Sequence, residues 1–246
     1  MTGSHNRREH LPMASAGKTE GLRERKKRAT RQLISNTATK LFMDRGFEQV
    51  TIDDVAAAAN VSKMTVFNYF SRKEDLFFDR SDEVHDLLRQ ALTGRGSLTP
   101  VAALRALAVD LIGQGHPLSM PKSRGAIEHW KAVVDSTSLR ARALELLVDI
   151  EGALGQMLAT SVEAVADDPT ARLIAAIVVG TWRVALAETL RQQRSTPPAT
   201  TRKLFLDLIE RGFAAAASAA RGTRYGQASR EPSSLPPRPR LRVTIK

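Results

Sequence analysis

Hydrophobic residues recur every three or four positions along most of this chain, which is the period of an amphipathic α-helix. The first predicted helix runs from about Gly21 to Arg45 and ends at Gly46. Further helices are predicted at about 72–92, 99–114, 126–134, 136–165, 169–191 and 200–220, separated by breaks rich in Gly and Pro. The apolar stripe of the first helix is formed by Leu33, Ile34, Ala38, Leu41 and Phe42. The pattern therefore predicts an all-α fold.

Two short helices joined by a tight turn are predicted between Val50 and Leu76. Thr51 is a good N-cap, and Asp54 stands at the acidic position of a capping box. Asn60 tolerates the left-handed conformation that a sharp turn needs, and Ser62 caps the second helix. The segment Ser71-Arg72-Lys73-Glu74 reads as a capping box that opens the next helix. This arrangement predicts a helix-turn-helix, in which the second helix enters the major groove of DNA.

The predicted outward face of the second helix suits base recognition. Lys63 can bond guanine or phosphate, Thr65 can bond a base edge or touch a thymine methyl, and Asn68 can bond adenine. The alternative is that any helical hairpin has a polar outer face. Three successive capping signals and the basic helix upstream favour DNA.

The net charge of +11 is concentrated at the two ends of the chain. Residues 1–50 hold 11 Lys and Arg against 5 Asp and Glu, and residues 221–246 hold 7 against 1. A basic segment next to a helix-turn-helix indicates phosphate contact, which is favoured for 23–31. For the C-terminal tail, phosphate contact and simple solubility stay equal alternatives.

The block ATKLFMDRGFEQVTIDDVAAAANVSKMTVFNYFSRKEDL closely resembles the DNA-binding domain of the TetR (tetracycline-repressor-type) family, over about Glu24 to Phe78. The resemblance implies a homodimeric transcription factor, usually a repressor, that binds a double-stranded operator. It also implies a larger all-helical C-terminal domain that dimerises and often binds a small hydrophobic inducer. The predicted organisation is a disordered arm (1–20), a DNA-binding domain (21–78), a regulatory and dimerisation domain (79–221) and a disordered basic tail (222–246).

The resemblance also implies which residues contact DNA: Thr51, Lys63, Met64, Thr65, Phe67, Asn68, Tyr69 and Lys73. Thr51 and Lys73 are the expected phosphate contacts. Tyr69 either reaches a phosphate or packs inward. Two positions depart from the family pattern, because Met64 stands where a small residue is frequent and Phe67 stands where Tyr is common. Both departures make the operator sequence unpredictable from the resemblance.

The fourth predicted helix, 72–92, links the two domains in the family, and a rotation of this helix would move the helix-turn-helix. The last two helices are candidates for an intersubunit four-helix bundle, because Gly180, Ala185, Gly212 and Ala216 allow close approach. Periodicity alone leaves open whether these helices only complete the core of one subunit. The family resemblance favours the dimer.

A ligand site is predicted among the middle helices, where Trp130 and Trp182 would wall an apolar cavity and His129 or Arg183 would orient a polar group. The alternative reading makes both Trp residues ordinary core and places Arg183 on the surface. His85 and His116 are isolated and lack His, Cys or acidic partners at metal-ligand spacing, so we expect no metal and no cofactor.

Other function classes lack support in the sequence. No Gly-rich phosphate loop, G-x-S-x-G, His-Glu-x-x-His or Cys nucleophile is present, so an enzyme is not expected. No uncharged apolar run approaches a membrane span, and the lack of Cys fits a cytoplasmic protein. A membrane-surface role rests only on the Arg-rich tail. The nearer alternatives are a DNA-binding regulator without an inducer and an activator.

Overall fold

The computed structural model describes residues 21–119, 124–192 and 197–228. Within these ranges the chain forms α-helices and one short 3-10 turn, and no strand. The helices are α1 (Leu22–Arg45), α2 (Ile52–Ala58), α3 (Lys63–Tyr69), α4 (Lys73–Phe77), α5 (Ser81–Thr93), α6 (Pro100–Gln114), α7 (Arg124–Asp135), α8 (Thr137–Ser161), α9 (Pro169–Gln192) and α10 (Pro198–Ala220). The predicted all-α fold is confirmed. The predicted arm at 1–20 lies outside the described residues.

The N-terminal helices close around one hydrophobic cluster. Its α1 members are Ile34, Ala38 and Phe42, which follow each other at four-residue spacing. Leu33, predicted to belong to this stripe, is 51% exposed, because a neighbouring helical residue points about 100° away from Ile34. The remaining buried members are Phe47, Val50, Val55, Ala56, Ala59, Val66, Phe70, Leu76, Phe77, Val133 and Leu139. Since Val133 and Leu139 come from α7 and α8, the packing continues across the proposed boundary at residue 78.

The single helix predicted over 72–92 is in fact two helices, α4 and α5, with a break at 78–80. Phe77 is buried, Phe78 packs against the same cluster, and Asp79 accepts a hydrogen bond from Ser35 of α1. Three consecutive side chains cannot all face α1 from an unbroken helix, because they point about 100° apart. The Ser71 capping box was also wrong. Arg72 is the N-cap of α4, and its amide donates to Asp75 at 3.1 Å.

The larger cluster is formed by α5, α6 and α8 to α10. Helix α9 packs along α8 and α10, and Leu154, Ile174 and Phe205 are fully buried in the middle of this group. By length and composition, α9 is long and apolar enough to cross a membrane. This is weak evidence for a membrane span, because the helix packs against α8 and α10. Only 33% of its apolar window is buried. One chain therefore leaves much of this helix uncovered.

The chain after α10 was predicted to be disordered from Gly222, and this is wrong for residues 222–228. Arg224–Gly226 form a 3-10 turn that places Tyr225 in the core, where it is 1% exposed. Arg224 donates to the carbonyl of Glu163 at 3.1 Å, just beyond the end of α8. Burial, followed by the nearby Asp168 carboxylate, raises the pKa of Tyr225 to about 12. Residues 229–246 lie outside the described ranges.

Candidate nucleic-acid interface

Local capping bonds set the geometry of α2, the turn and α3. The Thr51 hydroxyl accepts from the amide of Asp54 at 3.1 Å, and the Asp54 carboxylate accepts from the amide of Thr51 at 2.8 Å. Asn60 has φ 52°, the left-handed conformation predicted for the turn. Ser62 then caps α3 by accepting from the amide of Thr65 at 3.0 Å. The two capping residues and the turn residue are confirmed.

Helix α3 has one buried and one exposed face. Val66 is fully buried and Phe70, just past the end of the helix, is 2% exposed, so these two side chains fix the helix on the N-terminal cluster. Met64 is 68% exposed and Phe67 is 42% exposed. Asn68 is also exposed. The exposed side chains are thus those that the family resemblance assigns to base contact, although their contact with DNA stays a prediction.

The remaining predicted DNA residues already have partners within the chain. Lys63 pairs with Asp53 of α2 at 2.9 Å, and the hydroxyl of Thr65 lies 2.8 Å from that of Ser62. Tyr69 is half-buried against the N-terminal cluster. The hydrogen bonds to Thr51 lower the pKa of Asp54. This acid therefore stays ionised beside the start of α2.

Lys73 occupies a more inward position than a phosphate contact would need. Its ammonium donates to the carbonyls of Phe47 and Val50 at 2.8 and 3.0 Å, and lies 4.1 Å from the centre of the Phe47 ring. Two of its three N–H groups are therefore used to hold the segment between α1 and α2. The predicted phosphate contact is left with one donor.

The basic start of α1 is exposed and leads directly into the helix-turn-helix. Arg31 places its guanidinium 4.7 Å from the centre of the Phe70 ring, next to the C-terminal end of α3, and 3.7 Å from Asp82. The other basic residues of this segment are exposed: Arg23, Arg25, Lys26, Lys27 and Arg28. Positive charge therefore adjoins the helix predicted to enter the groove.

Polar bonds join the α7–α8 corner to the N-terminal helices. Arg142 of α8 donates to Asp75 of α4 at 2.8 Å, and Arg72 donates to Glu145 of α8 at 2.8 Å. Ser136, the N-cap of α8, donates to Glu48 at 2.6 Å. Sequence reasoning missed these contacts, because each joins residues separated by more than 60 positions and no local pattern reports such a pairing.

The four predicted ligand residues do not converge. His129 stacks on Phe77 at 3.9 Å between ring centres, and Trp130 packs on the same N-terminal cluster. Trp182 packs against the larger cluster and lies 5.8 Å from Phe205 between ring centres. Its N–H donates to the carbonyl of Leu118 at 3.0 Å. The prediction that the two Trp residues wall one cavity is therefore wrong.

His129 and Arg183, two of the four predicted ligand residues, differ in how far they are buried. Burial lowers the pKa of His129 to about 4, since the Asp79 carboxylate only partly offsets desolvation and Arg80 adds to it. Arg183 is exposed on α9. Whether any of the four contacts a ligand stays a prediction.

His116 is not isolated, contrary to the sequence reading. It is 4% exposed, its Nδ1 accepts from the amide of Leu118 at 3.2 Å, and its Nε2 lies 3.2 Å from Glu83 of α5. Since Nδ1 accepts, the proton of the neutral ring is on Nε2 and points at Glu83. Within the described ranges, no group of three or more metal-ligating side chains is placed to hold an ion. The expected absence of a metal stays a prediction.

The segment that forms this surface also matches a known family. Residues 34–79 match the family model described as bacterial regulatory proteins, tetR family. Over 172 residues the chain is 27% identical to the HTH-type transcriptional regulator TcmR of Streptomyces glaucescens, an alignment that covers 68% of this chain and 76% of TcmR. Residues 34–79 therefore form a TetR-type DNA-binding domain, and the chain is similar to transcriptional regulators of that family. The relatives that it matches are transcriptional regulators and not enzymes.

Other similarities of this chain are shorter or more distant. It is 45% identical over 47 residues to the uncharacterized regulator YhgD of Bacillus subtilis, covering 19% of this chain and 25% of YhgD. It is 26% identical over 119 residues to the probable acrEF/envCD operon repressor of Escherichia coli, covering 47% and 50%. The crystal structure of NalD, the secondary repressor of the MexAB-OprM pump in Pseudomonas aeruginosa, overlaps with a TM-score of 0.46 at 18% identity, covering 76% of this chain and 97% of NalD.

Proposed function

We propose that this chain is a homodimeric, cytoplasmic repressor that binds a near-palindromic operator and is released by a small hydrophobic ligand. The observation that carries DNA binding is the orientation of α3. Val66 and Phe70 fix its inner face, while Met64, Phe67 and Asn68 stand exposed on a helix bordered by the basic start of α1. A rigidly held helix with an exposed outer face is what docking in a major groove requires.

The homodimer is supported by the outer surface of α9 and α10. An open cleft of about 360 Å³ lies between them, lined by Gly180, Thr181, Val184, Leu208, Arg211 and Gly212. Val184 is 41% exposed and Leu173 is 54% exposed on α9. Apolar side chains and small residues on one uncovered surface favour packing against the same surface of a second copy. Two α3 helices in such a dimer are expected to lie about 34 Å apart, one turn of DNA.

A route from the larger helical group to α3 is supported by the bonds at the α7–α8 corner. Arg142–Asp75 and Arg72–Glu145 attach α8 to α4, which directly follows α3. A ligand that moves α8 would therefore change the position of α3 in each subunit. The ligand acts only to the extent that it binds one of the two arrangements more tightly.

A second candidate is a dimeric regulator that needs no ligand. It is favoured by the packing of the predicted ligand residues, because His129 is stacked on Phe77 and the N–H of Trp182 is satisfied by Leu118. Thermal unfolding measured with a panel of hydrophobic small molecules separates the two candidates. A shift with one of them supports release by ligand, and no shift across the panel supports the second candidate. In vitro transcription from the selected operator separates a repressor from an activator.

The deciding experiment is selection of DNA from a random library by the purified protein at two salt concentrations. A near-palindrome recovered at both concentrations supports the proposal. Asn68→Ala is then expected to weaken binding by about 1–3 kcal/mol, if Asn68 contacts a base. Asn36→Ala is the matched control, because Asn36 is an exposed amide on α1 that bonds only Gln32 in the described structure. Binding without sequence preference that disappears at the higher salt concentration contradicts the proposal.

A further inference from the structure

The exposed surface of α3 carries little charge. Of its seven residues, Lys63–Tyr69, only Lys63 is charged, and Asp53 holds it at 2.9 Å. The Thr65 hydroxyl lies 2.8 Å from that of Ser62. This leaves the Asn68 amide as the polar group on α3 that is exposed and for which no partner within the described chain is seen.

The rest of that surface is apolar. Met64 and Phe67 are 68% and 42% exposed, and with Asn68 they span an arc of about 100° around the helix. Single exposed apolar residues are common on protein surfaces. Here two large apolar residues, Met64 and Phe67, are neighbours at i and i+3 on the helix surface. They lie next to Asn68, whose amide is expected to contact a base.

The major groove offers one apolar feature on its base edges, the C5-methyl group of thymine. The most frequent guanine contact is a bidentate one from Arg or Lys, and α3 contains no Arg. Asn68 is suited to adenine, whose partner in the pair is thymine. The chemistry of this surface therefore matches A·T pairs better than G·C pairs.

We infer that Met64 and Phe67 contact thymine methyl groups, so that each operator half-site carries thymines beside the adenine read by Asn68. This inference rests on the proposed function. The two residues are about 4.5 Å apart along the helix axis, close to the ~3.4 Å spacing of base pairs, so they address neighbouring pairs. The flexible thioether of Met64 adapts to the position of its methyl group.

The test replaces thymine by deoxyuridine in the selected operator, one position at a time, which removes only the methyl group. Burying one methyl group is worth about fourfold in affinity, so we expect about a fourfold loss at each contacted thymine. When the contacted thymine is replaced in both half-sites together, the affinity should fall about 15-fold. Positions without contact should show no change.

Protein variants then assign each methyl group to a side chain. Met64→Ala and Phe67→Ala should each abolish the effect of deoxyuridine at its own position, and neither should change the salt dependence, because no phosphate contact is removed. Met43→Ala is the matched control, since Met43 is 66% exposed on α1. It should leave the deoxyuridine effect unchanged.

The outcomes are distinguishable from those of the proposed function. Sequence-specific binding that is equally tight on thymine and deoxyuridine overturns the methyl contacts and leaves the regulator intact. A selected half-site with G·C pairs throughout also overturns the inference. Failure to select any sequence contradicts both proposals. Because the base substitution leaves the protein unaltered, loss of folding in a variant does not affect the result.

Discussion

Arg142 of α8 donates its Nε–H to Asp75 of α4 across 2.8 Å, and each side chain is 20% exposed. The Asp75 carboxylate also accepts from the backbone amide of Arg72, the N-cap of α4, so both of its oxygens accept hydrogen bonds. Arg142→Met removes the charge while keeping the aliphatic stem. We expect it to lower the free energy of unfolding by about 1–3 kcal/mol, because a partly buried carboxylate loses its partner.

Urea unfolding of Arg142→Met, Asp75→Asn and the double variant measures this coupling. The control is Arg89→Met, because Arg89 pairs with Asp86 on its own helix and is 57% exposed, and we expect it to have little effect. Additive losses in the double variant would show that the ion pair does not join the two parts of the chain.

Lys73 is expected to matter more for folding than for DNA. Lys73→Met leaves the carbonyls of Phe47 and Val50 without their donor, and should lower the free energy of unfolding by about 1–3 kcal/mol. The slope of log K against log salt for operator binding should not change. A slope reduced by about 1 would instead show that the remaining N–H contacts a phosphate.

Gly212 is where α10 approaches α9 most tightly among the described glycines. A Cβ at this position would lie 2.0 Å from the Thr181 hydroxyl oxygen and 2.6 Å from the Thr181 Cβ. Because Thr is stiff at χ1, the helices must move, and Gly212→Ala should lower the unfolding free energy by about 1–3 kcal/mol. Gly152→Ala on α8 meets nothing within 4 Å and should be neutral or stabilising. Equal melting temperatures for the two variants would contradict this packing.

The proposed dimer predicts that a charged side chain on the exposed surface of α9 separates the subunits. Val184→Lys places a charge in the cleft and should convert the protein to monomers in sedimentation velocity, with loss of operator binding. Val148→Lys is the control, because Val148 is 70% exposed on α8, away from the cleft lining. A dimer that persists in Val184→Lys, with unchanged affinity, would place the subunit interface elsewhere.

The buried imidazole of His129 predicts a pH dependence of stability. Burial lowers its pKa from the ordinary 6.5 to about 4, so between these values the unfolded chain binds a proton that the native chain does not. Stability is therefore complete above about pH 6.5 and is lost as the pH falls towards 4, by up to about 3 kcal/mol. His129→Phe keeps the stack on Phe77 and should remove this part of the dependence. The readout is the difference between wild-type and variant unfolding free energies at pH 7 and pH 5; a constant difference would contradict the assignment.

Caps and turns that depend on residues close together in the sequence were predictable. Thr51, Asn60 and Ser62 act within three residues of their own position, so their capping and turn roles follow from residue type alone. The outward face of α3 was predicted in part, since Lys63 and Asn68 are exposed as expected, whereas Thr65 is half-buried.

Contacts between distant segments were not predictable. The break at 78–80 depends on Asp79 reaching Ser35, and the position of Trp130 depends on its packing with the N-terminal cluster. His116 looked isolated because its partner, Glu83, is 33 positions away. Periodicity says that a side chain is buried, but not which surface covers it.

The turn at Tyr225 fixes the position of the last described residues of the chain. At its start, α8 is bonded through Ser136 to Glu48, between α1 and α2. Just past its end, Glu163 is bonded by Arg224 of this turn. With 25 residues, α8 is about 37 Å long, so this turn lies roughly that far from the Ser136–Glu48 contact at the other end of the helix. A fluorescent protein or affinity tag fused after residue 228 would therefore start far from the operator. A chain cut at Ala220 would lose Tyr225 and uncover that end of the core.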